Sequence, residues 1–370
     1  MTVRLVATVA RSFESASKLN RSFTAAANTA AAMVLAKRFV LLRHFQGEPK
    51  LEDFQLVTEE LPPLKDGEVL AEAEYLSVDP YMRVYTLRRP PGDTMIGSQV
   101  ARVVASKAAG WAVGERFVAD LGWRTHTVFH PDAVEKTSFL PMFKLPDLGD
   151  LPASLGLGIL GMPGNTAYLG FLEICQPKPG ETVVVSGAAG AVGSTVGQIA
   201  KIKGCRVVGF AGSDDKVKWL KQELGFDAAF NYKTKDIAEA LKEGAPKGVD
   251  CYFDNVGGEL SSIVIHHMNL KGRIAVCGTI ATNNADPKNL PKVTVIQRPM
   301  ITNQLKMEGF TVTQWKSRWM EGIKQNLQWI REGKLKYKET VTEGFDNMPS
   351  AFIGLLKGQN TGKAVIKAHL

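Results

Sequence analysis

The chain has 370 residues, 45% of them hydrophobic and 22% charged, with 45 Lys and Arg against 37 Asp and Glu for a net charge of +8. That is ordinary globular material long enough for two domains, and the moderate positive balance suits an anionic ligand. No basic run with interleaved aromatics marks a nucleic-acid surface, and no apolar run reaches the roughly 18 residues of a membrane span.

The first 32 residues are rich in Ala, Ser and Thr and carry Arg4, Arg11, Lys18 and Arg21 against the single acid Glu14. This composition fits a mitochondrial transit peptide. An upstream extension of a protein whose folded part begins at Met33 fits it equally well, and neither reading gives the segment a place in the fold. From 33 to 160, short alternating or apolar runs at 38–42, 54–58, 68–75 and 99–105 are separated by Leu61-Pro62-Pro63, Pro90-Pro91-Gly92 and Ala109-Gly110. Short strands with regular turn signals predict a compact barrel or sandwich. The peptide Val78-Asp79-Pro80-Tyr81-Met82-Arg83 reads as a loop carrying a phenol and a guanidinium, and its plainest account is a capped turn with a surface arginine.

After residues 161–168 the period changes. Strand candidates at 182–186, 206–211, 228–232, 249–254 and 273–278 alternate with helix candidates at 193–203, 214–224, 236–243 and 260–269. Repeated strand and helix at this spacing means right-handed βαβ units and a doubly wound parallel sheet. The segment 306–312 adds a strand and 318–333 an amphipathic helix. The tail returns to β character at 341–344 and 364–367 around a helix at 349–357, and is too short to fold alone. It is expected to pack back on the first domain, leaving the parallel sheet as an insertion.

The turn Ser186-Gly187-Ala188-Ala189-Gly190-Ala191-Val192-Gly193 follows the first strand of this series. Against the dinucleotide fingerprint it places Ala188 at the first glycine and Gly190 and Gly193 at the other two. Amides at a helix N-terminus have no partner within their helix, and glycines let a pyrophosphate approach them. A turn that merely packs a helix on a sheet is the alternative, and the surrounding βαβ series favours the nucleotide. At the end of the second strand, where an NAD site places a carboxylate, stand Gly212 and, in the next helical turn, Lys216. A small residue followed by a cation accommodates a 2′-phosphate, so NADPH is the expected cofactor; a solvated Lys216 with Asp214 as an ordinary helix cap is the plainer reading. Cys175, Cys205, Cys251 and Cys277 are scattered, with no C-x-x-C pair and no clustered histidines, a pattern that does not spell a zinc site.

Taken in order, S-G-A-A-G-A-V-G-S, G-S-D-D-K, F-N-Y-K, D-C-Y-F-D-N-V-G-G-E and E-G-F-D-N-M-P-S-A-F, with D-P-Y-M-R, G-D-T-M and G-M-P-G-N-T-A-Y, resemble the zinc-independent medium-chain dehydrogenase/reductases from Met33 to the C-terminus. The resemblance implies a Rossmann domain, 162–333, inserted into a GroES-like β-rich catalytic domain, 33–161 plus 334–370. It implies a pyrophosphate turn at Gly190, Ala191, Val192 and Gly193 and a 2′-phosphate site at Lys216 and Tyr232. The nucleotide site is further expected to include Asn255, the segment Cys277, Gly278, Thr279, Ile280, Ala281, Thr282 and Asn283, then Phe310, Thr311, Val312 and Asn360. Family members often carry tyrosines facing the substrate where Asn283 and Thr302 stand here.

The activity implied is NADPH-dependent reduction of the C=C bond of α,β-unsaturated carbonyls such as 15-oxo-prostaglandins and 2-alkenals, by hydride transfer to the β-carbon. The resulting enolate needs a donor, from a cofactor ribose hydroxyl or a side chain such as Tyr81, and the proton for the α-carbon can come from water. Quinone reduction, oxidation of a lipid alcohol such as leukotriene B4, and a cofactor-binding structural protein without turnover are the alternatives. A homodimer in the cytoplasm is the expected setting, with mitochondria the alternative through residues 1–32.

Overall fold

The computed structural model describes residues 33–286 and 288–369; the transit-peptide reading concerns residues outside them. The first part of the chain is β-rich, as expected. Strands β1 (Leu35–Leu41) and β2 (Phe54–Glu60) pair antiparallel. A second sheet is built from β3 (Val69–Ser77), β4 (Gln99–Ser106), β5 (Arg116–Ala119), β6 (His126–Phe129) and β7 (Phe143–Lys144). Along β3 every second side chain from Val69 to Ala73 is buried, the period-two pattern of a strand with one covered face. These residues pack with Phe117 and Phe129, and the Trp111 ring stands edge-on to both.

The second part alternates strand and helix. Strands β8 (Thr182–Val185), β9 (Arg206–Ala211), β10 (Ala228–Asn231), β11 (Val249–Asp254), β12 (Met268–Val276) and β13 (Lys306–Gly309) form one parallel sheet in the order β10-β9-β8-β11-β12-β13. All four residues of β8 are buried, because helices cover both faces of a parallel sheet. The order reverses direction between β8 and β11, the switch point outside which such sheets hold ligands. The chain then returns to the first sheet: β14 (Glu339–Glu343) pairs with β15 (Lys363–Lys367), and β15 pairs antiparallel with β3. A doubly wound parallel sheet set within a β-rich part, the architecture that the resemblance implies, is the observed fold.

Several local expectations change. The strand expected over 306–312 ends at Gly309, and a 3-10 helix begins at Val312. The helix expected over 260–269 ends at His266, and the strand expected from Arg273 starts at Met268. Val249 claims Met268 as its ladder partner, and a bulge then brings Cys251 opposite Arg273. The loop at 78–83 contains a short helix, Tyr81–Tyr85, and Arg83 is buried at 6% exposure rather than lying on the surface. Helix Met162–Gly170, which the sequence pattern left unassigned, sits so close to the preceding turn that a Cβ on Gly164 would fall 1.9 Å from the Ile159 carbonyl oxygen.

Candidate functional site

A cleft of about 900 Å³ opens between the two parts of the molecule. Its floor is the glycine-rich turn between β8 and helix Ala191–Ile202. Gly187 takes the left-handed conformation that tightens this turn (φ +58°). Ala188, at the fingerprint's first position, is fully buried and donates its N–H to the Phe210 carbonyl at 2.9 Å; its methyl group packs toward Gly209, away from any ligand. Gly193 is sterically required, since a Cβ there would lie 2.4 Å from the Gly187 oxygen. At Gly190 the same Cβ would meet only that oxygen, at 3.3 Å, so the direction into the cleft is open. The turn thus presents unpaired helix N-terminal amides to a space that an anionic group can enter.

A second anion pocket forms at the end of β9. Gly212 lies against Tyr232, whose hydroxyl would be 3.1 Å from a Cβ at that position, and against the Lys233 side chain. Lys216 reaches in from the following helix and donates from Nζ to the Gly358 carbonyl at 2.6 Å. Burial lowers the Lys216 pKa, and the positive charge of Lys233 lowers it further. Two cations crowded without a carboxylate between them are stabilised by a bound dianion. The helix cap is Ser213, which accepts from the Lys216 N–H; Asp214 instead accepts from the Asn231 amide at 2.9 Å and does not occupy the pocket as a cap.

The two parts meet along the cleft. Gly362, just before β15, donates to the Ala189 carbonyl at 2.8 Å and bridges to Gly190. Beside it, the buried Lys363 ammonium donates to Asp79 at 3.0 Å and to the Val78 and Ala364 carbonyls. Above this seam the wall is apolar: Val84, Tyr85, Phe139, Leu140 and Met162 line it, with the Tyr85 and Phe139 rings 5.0 Å apart. Tyr81 contributes its ring to the same wall, but its hydroxyl is buried without a hydrogen-bond partner. Burial raises the phenol's pKa well above its ordinary value, and the carboxylates of Asp120 and Asp79 add to the shift, so Tyr81 stays protonated. Offering that proton to a ligand requires the side chain to rotate into the cleft.

Comparison with known proteins agrees with this geometry. Residues 37–137 match the model of the N-terminal domain of oxidoreductase, and 191–329 match that of zinc-binding dehydrogenase. Prostaglandin reductase 1 of Bos taurus is 54% identical over 342 residues, covering 91% of this chain and all of that protein. The chain belongs to the medium-chain dehydrogenase/reductases. The NADPH-dependent curcumin reductase of Escherichia coli is 39% identical over 90% of the chain and 96% of its own length. The crystal structure of CurA in complex with NADPH from Vibrio vulnificus superposes with a TM-score of 0.82 at 38% identity, covering 90% of this chain and 99% of that one.

Within the described residues, the medium-chain reductase cleft gathers Gly190, Ala191, Val192, Gly193, Lys216, Tyr232, Asn255, Cys277, Gly278, Thr279, Ile280, Ala281, Asn283, Phe310, Thr311, Val312 and Asn360. Thr282 is not brought in; its hydroxyl turns back to the Thr279 carbonyl at 3.1 Å. Thr302 likewise lies outside the cleft, bonded to the Arg298 carbonyl, whereas Asn283 lines it. Asn255 is fixed by a bond from its amide to the Ser186 carbonyl at 2.8 Å. Burial pushes the Cys277 thiol up to about 12, so it is no nucleophile. Sequence reasoning missed Lys233 and Lys363; the first was signalled by its place beside Tyr232 in N-Y-K, the second by nothing local. Although the second matching model is described as zinc-binding, no group of three or more His, Cys, Asp or Glu among the described residues is placed to hold a metal ion. No described helix is long and apolar enough to cross a membrane.

Proposed function

We propose that the chain is an NADPH-dependent reductase of the C=C bond of α,β-unsaturated carbonyls, with 15-oxo-prostaglandins and 2-alkenals as substrates. The observation that carries the cofactor is the pocket of Lys216, Lys233 and Tyr232 around Gly212, which offers two cations and a phenol to a 2′-phosphate and no carboxylate to oppose it. Bound there, NADPH supplies a hydride to the β-carbon of the enone. Gly190 to Gly193 hold the pyrophosphate, and the strand-end residues Asn255, Cys277 to Asn283 and Phe310 to Val312 border the rest of the dinucleotide, with Asn360 closing it. The apolar wall of Tyr85, Phe139 and Leu140 takes the hydrocarbon part of the substrate and excludes water from the reacting carbon. Tyr81, protonated throughout the working pH range, donates to the oxygen on which charge develops once its side chain swings into the cleft.

The domain limits fall at 161/162 and 333/334 in this reading, and the chain works as a homodimer in the cytoplasm. The relatives named for prostaglandin and curcumin reduction support the reaction class. The test is the purified chain with NADPH and a panel of a 15-oxo-prostaglandin, a 2-alkenal and a quinone. Loss of NADPH absorbance with the first two is expected; no loss with any enone would sink the proposal, and turnover of the quinone alone would reassign the activity.

A further inference from the structure

The helix Tyr81–Tyr85 gives Tyr81, Val84 and Tyr85 to the cleft, while its arginine has a different set of partners. The Arg83 guanidinium is buried and stands 5.3 Å from the centre of the Phe45 ring. It donates from Nη2 to the Phe45 and Gly47 carbonyls at 3.3 and 3.0 Å, and from Nε to the Asn284 side-chain oxygen at 3.2 Å. Asp53, the carboxylate that bears on it, is itself paired with Arg43 at 2.8 Å. A buried cation satisfied only by neutral oxygens is costly compared with an apolar side chain of the same length. Its position gives a reason for keeping it. Asn284 is separated from Arg83 by 201 residues and directly follows Asn283, the last cleft-lining residue of the segment that leaves β12. The bond therefore ties the catalytic-side helix of the cleft to the nucleotide-side loop.

We infer that Arg83 and Asn284 form a releasable clasp that positions the loop 279–284 along the cleft and so sets affinity for the dinucleotide and the enone. A neutral amide acceptor makes the clasp weaker than an ion pair, which lets the loop part for exchange; a carboxylate there would hold it shut. Arg83 is a positioning residue, acting through Asn284 and touching neither ligand.

The test uses the full chain with Asn284→Ala, Asn284→Asp and Arg83→Lys. NADPH affinity is read by fluorescence, and loop exposure by the rate of tryptic cleavage after Lys288 and Lys292. For Asn284→Ala, NADPH affinity should fall roughly tenfold, the loss of one hydrogen bond to a charged donor, and cleavage should accelerate. Asn284→Asp should do the reverse, with KM for the enone lowered and kcat reduced as release slows. Arg83→Lys, which keeps the charge but not the fork, should follow Asn284→Ala, and the two changes combined should be less than additive. Unchanged binding and cleavage in both Asn284 variants would overturn the clasp. The kinetic arm rests on the reductase reading. Binding and cleavage do not, so a chain that shows both shifts yet reduces no enone would sink that reading and leave the clasp standing.

Discussion

Replacing Lys216 tests the cofactor pocket most directly. The side chain is half-buried, its Nζ rests on the Gly358 carbonyl at 2.6 Å, and Lys233 stands close enough to lower its pKa. A charge-assisted hydrogen bond is worth about 1.5–3 kcal/mol, or about tenfold to 150-fold in Kd. Because Lys233 remains and the site is partly exposed, Lys216→Ala should fall in the lower half of that range. In Lys216→Glu the bond becomes a repulsion. At about 4–5 Å and an effective dielectric near 20, each unit of reversed charge costs about 3–4 kcal/mol before ionic screening. NADPH affinity should then fall by a further factor of at least roughly ten, while NADH, which lacks the phosphate, changes little. Titrating both cofactors by fluorescence at low and high salt measures the ratio, and the difference between them should shrink at high salt. The pH dependence has a defined sign. Binding favours protonated Lys216, whose pKa in the free protein is depressed, so NADPH affinity declines as pH rises through that depressed value while NADH affinity stays flat. Equal losses for NADPH and NADH in Lys216→Glu would show that the lysine supports the fold and not the phosphate.

The glycine-rich turn separates fold from binding. Gly193→Ala places a methyl group 2.4 Å from the Gly187 oxygen and should cost about 1–3 kcal/mol in thermal unfolding, whereas Gly190→Ala should keep the melting temperature and lose NADPH affinity. Phe139→Ala abolishes the Tyr85–Phe139 ring contact and opens the apolar wall, so KM should rise about tenfold for a long-chain enone and little for a short alkenal, measured by steady-state kinetics. Burial raises the Asp120 carboxyl pKa above its ordinary range, with Arg89 and the Gly97 N–H opposing it. A native pKa above the unfolded one means that ionised Asp120 destabilises the fold at neutral pH, and that this penalty disappears once pH falls below the unfolded value. Asp120→Asn should therefore raise Tm at neutral pH by the equivalent of about 1 kcal/mol, with the gain vanishing in acid; a gain independent of pH would refute the assignment.

What could be read from the sequence was what repeats locally. The period of strand and helix between Thr182 and Gly309, the glycines at 190 and 193, and the Gly212 and Lys216 pair all act within one βαβ unit. Their spacing alone placed them at strand ends, because a parallel sheet leaves no other site for such turns. The limits of β12 were less legible, since the choice between ending a helix and starting a strand at Met268 belongs to its ladder partner Val249. Arg83 was misread as a surface residue because its acceptors, Phe45, Gly47 and Asn284, lie 38 and 36 residues before it and 201 after it. Lys363 was silent for the same reason: its partner Asp79 is 284 residues away. Tyr81 shows the division within one side chain. The motif marked its phenol as available chemistry, and packing decided that the side chain lines the cleft while its hydroxyl is buried without a partner. The sequence by itself determined the fold class and the place of the glycine-rich turn and of Lys216 along the cleft, where backbone and nearest neighbours suffice. Only tertiary structure decided the seam between the two parts, because contacts made by segments hundreds of residues apart leave no periodic trace in either one.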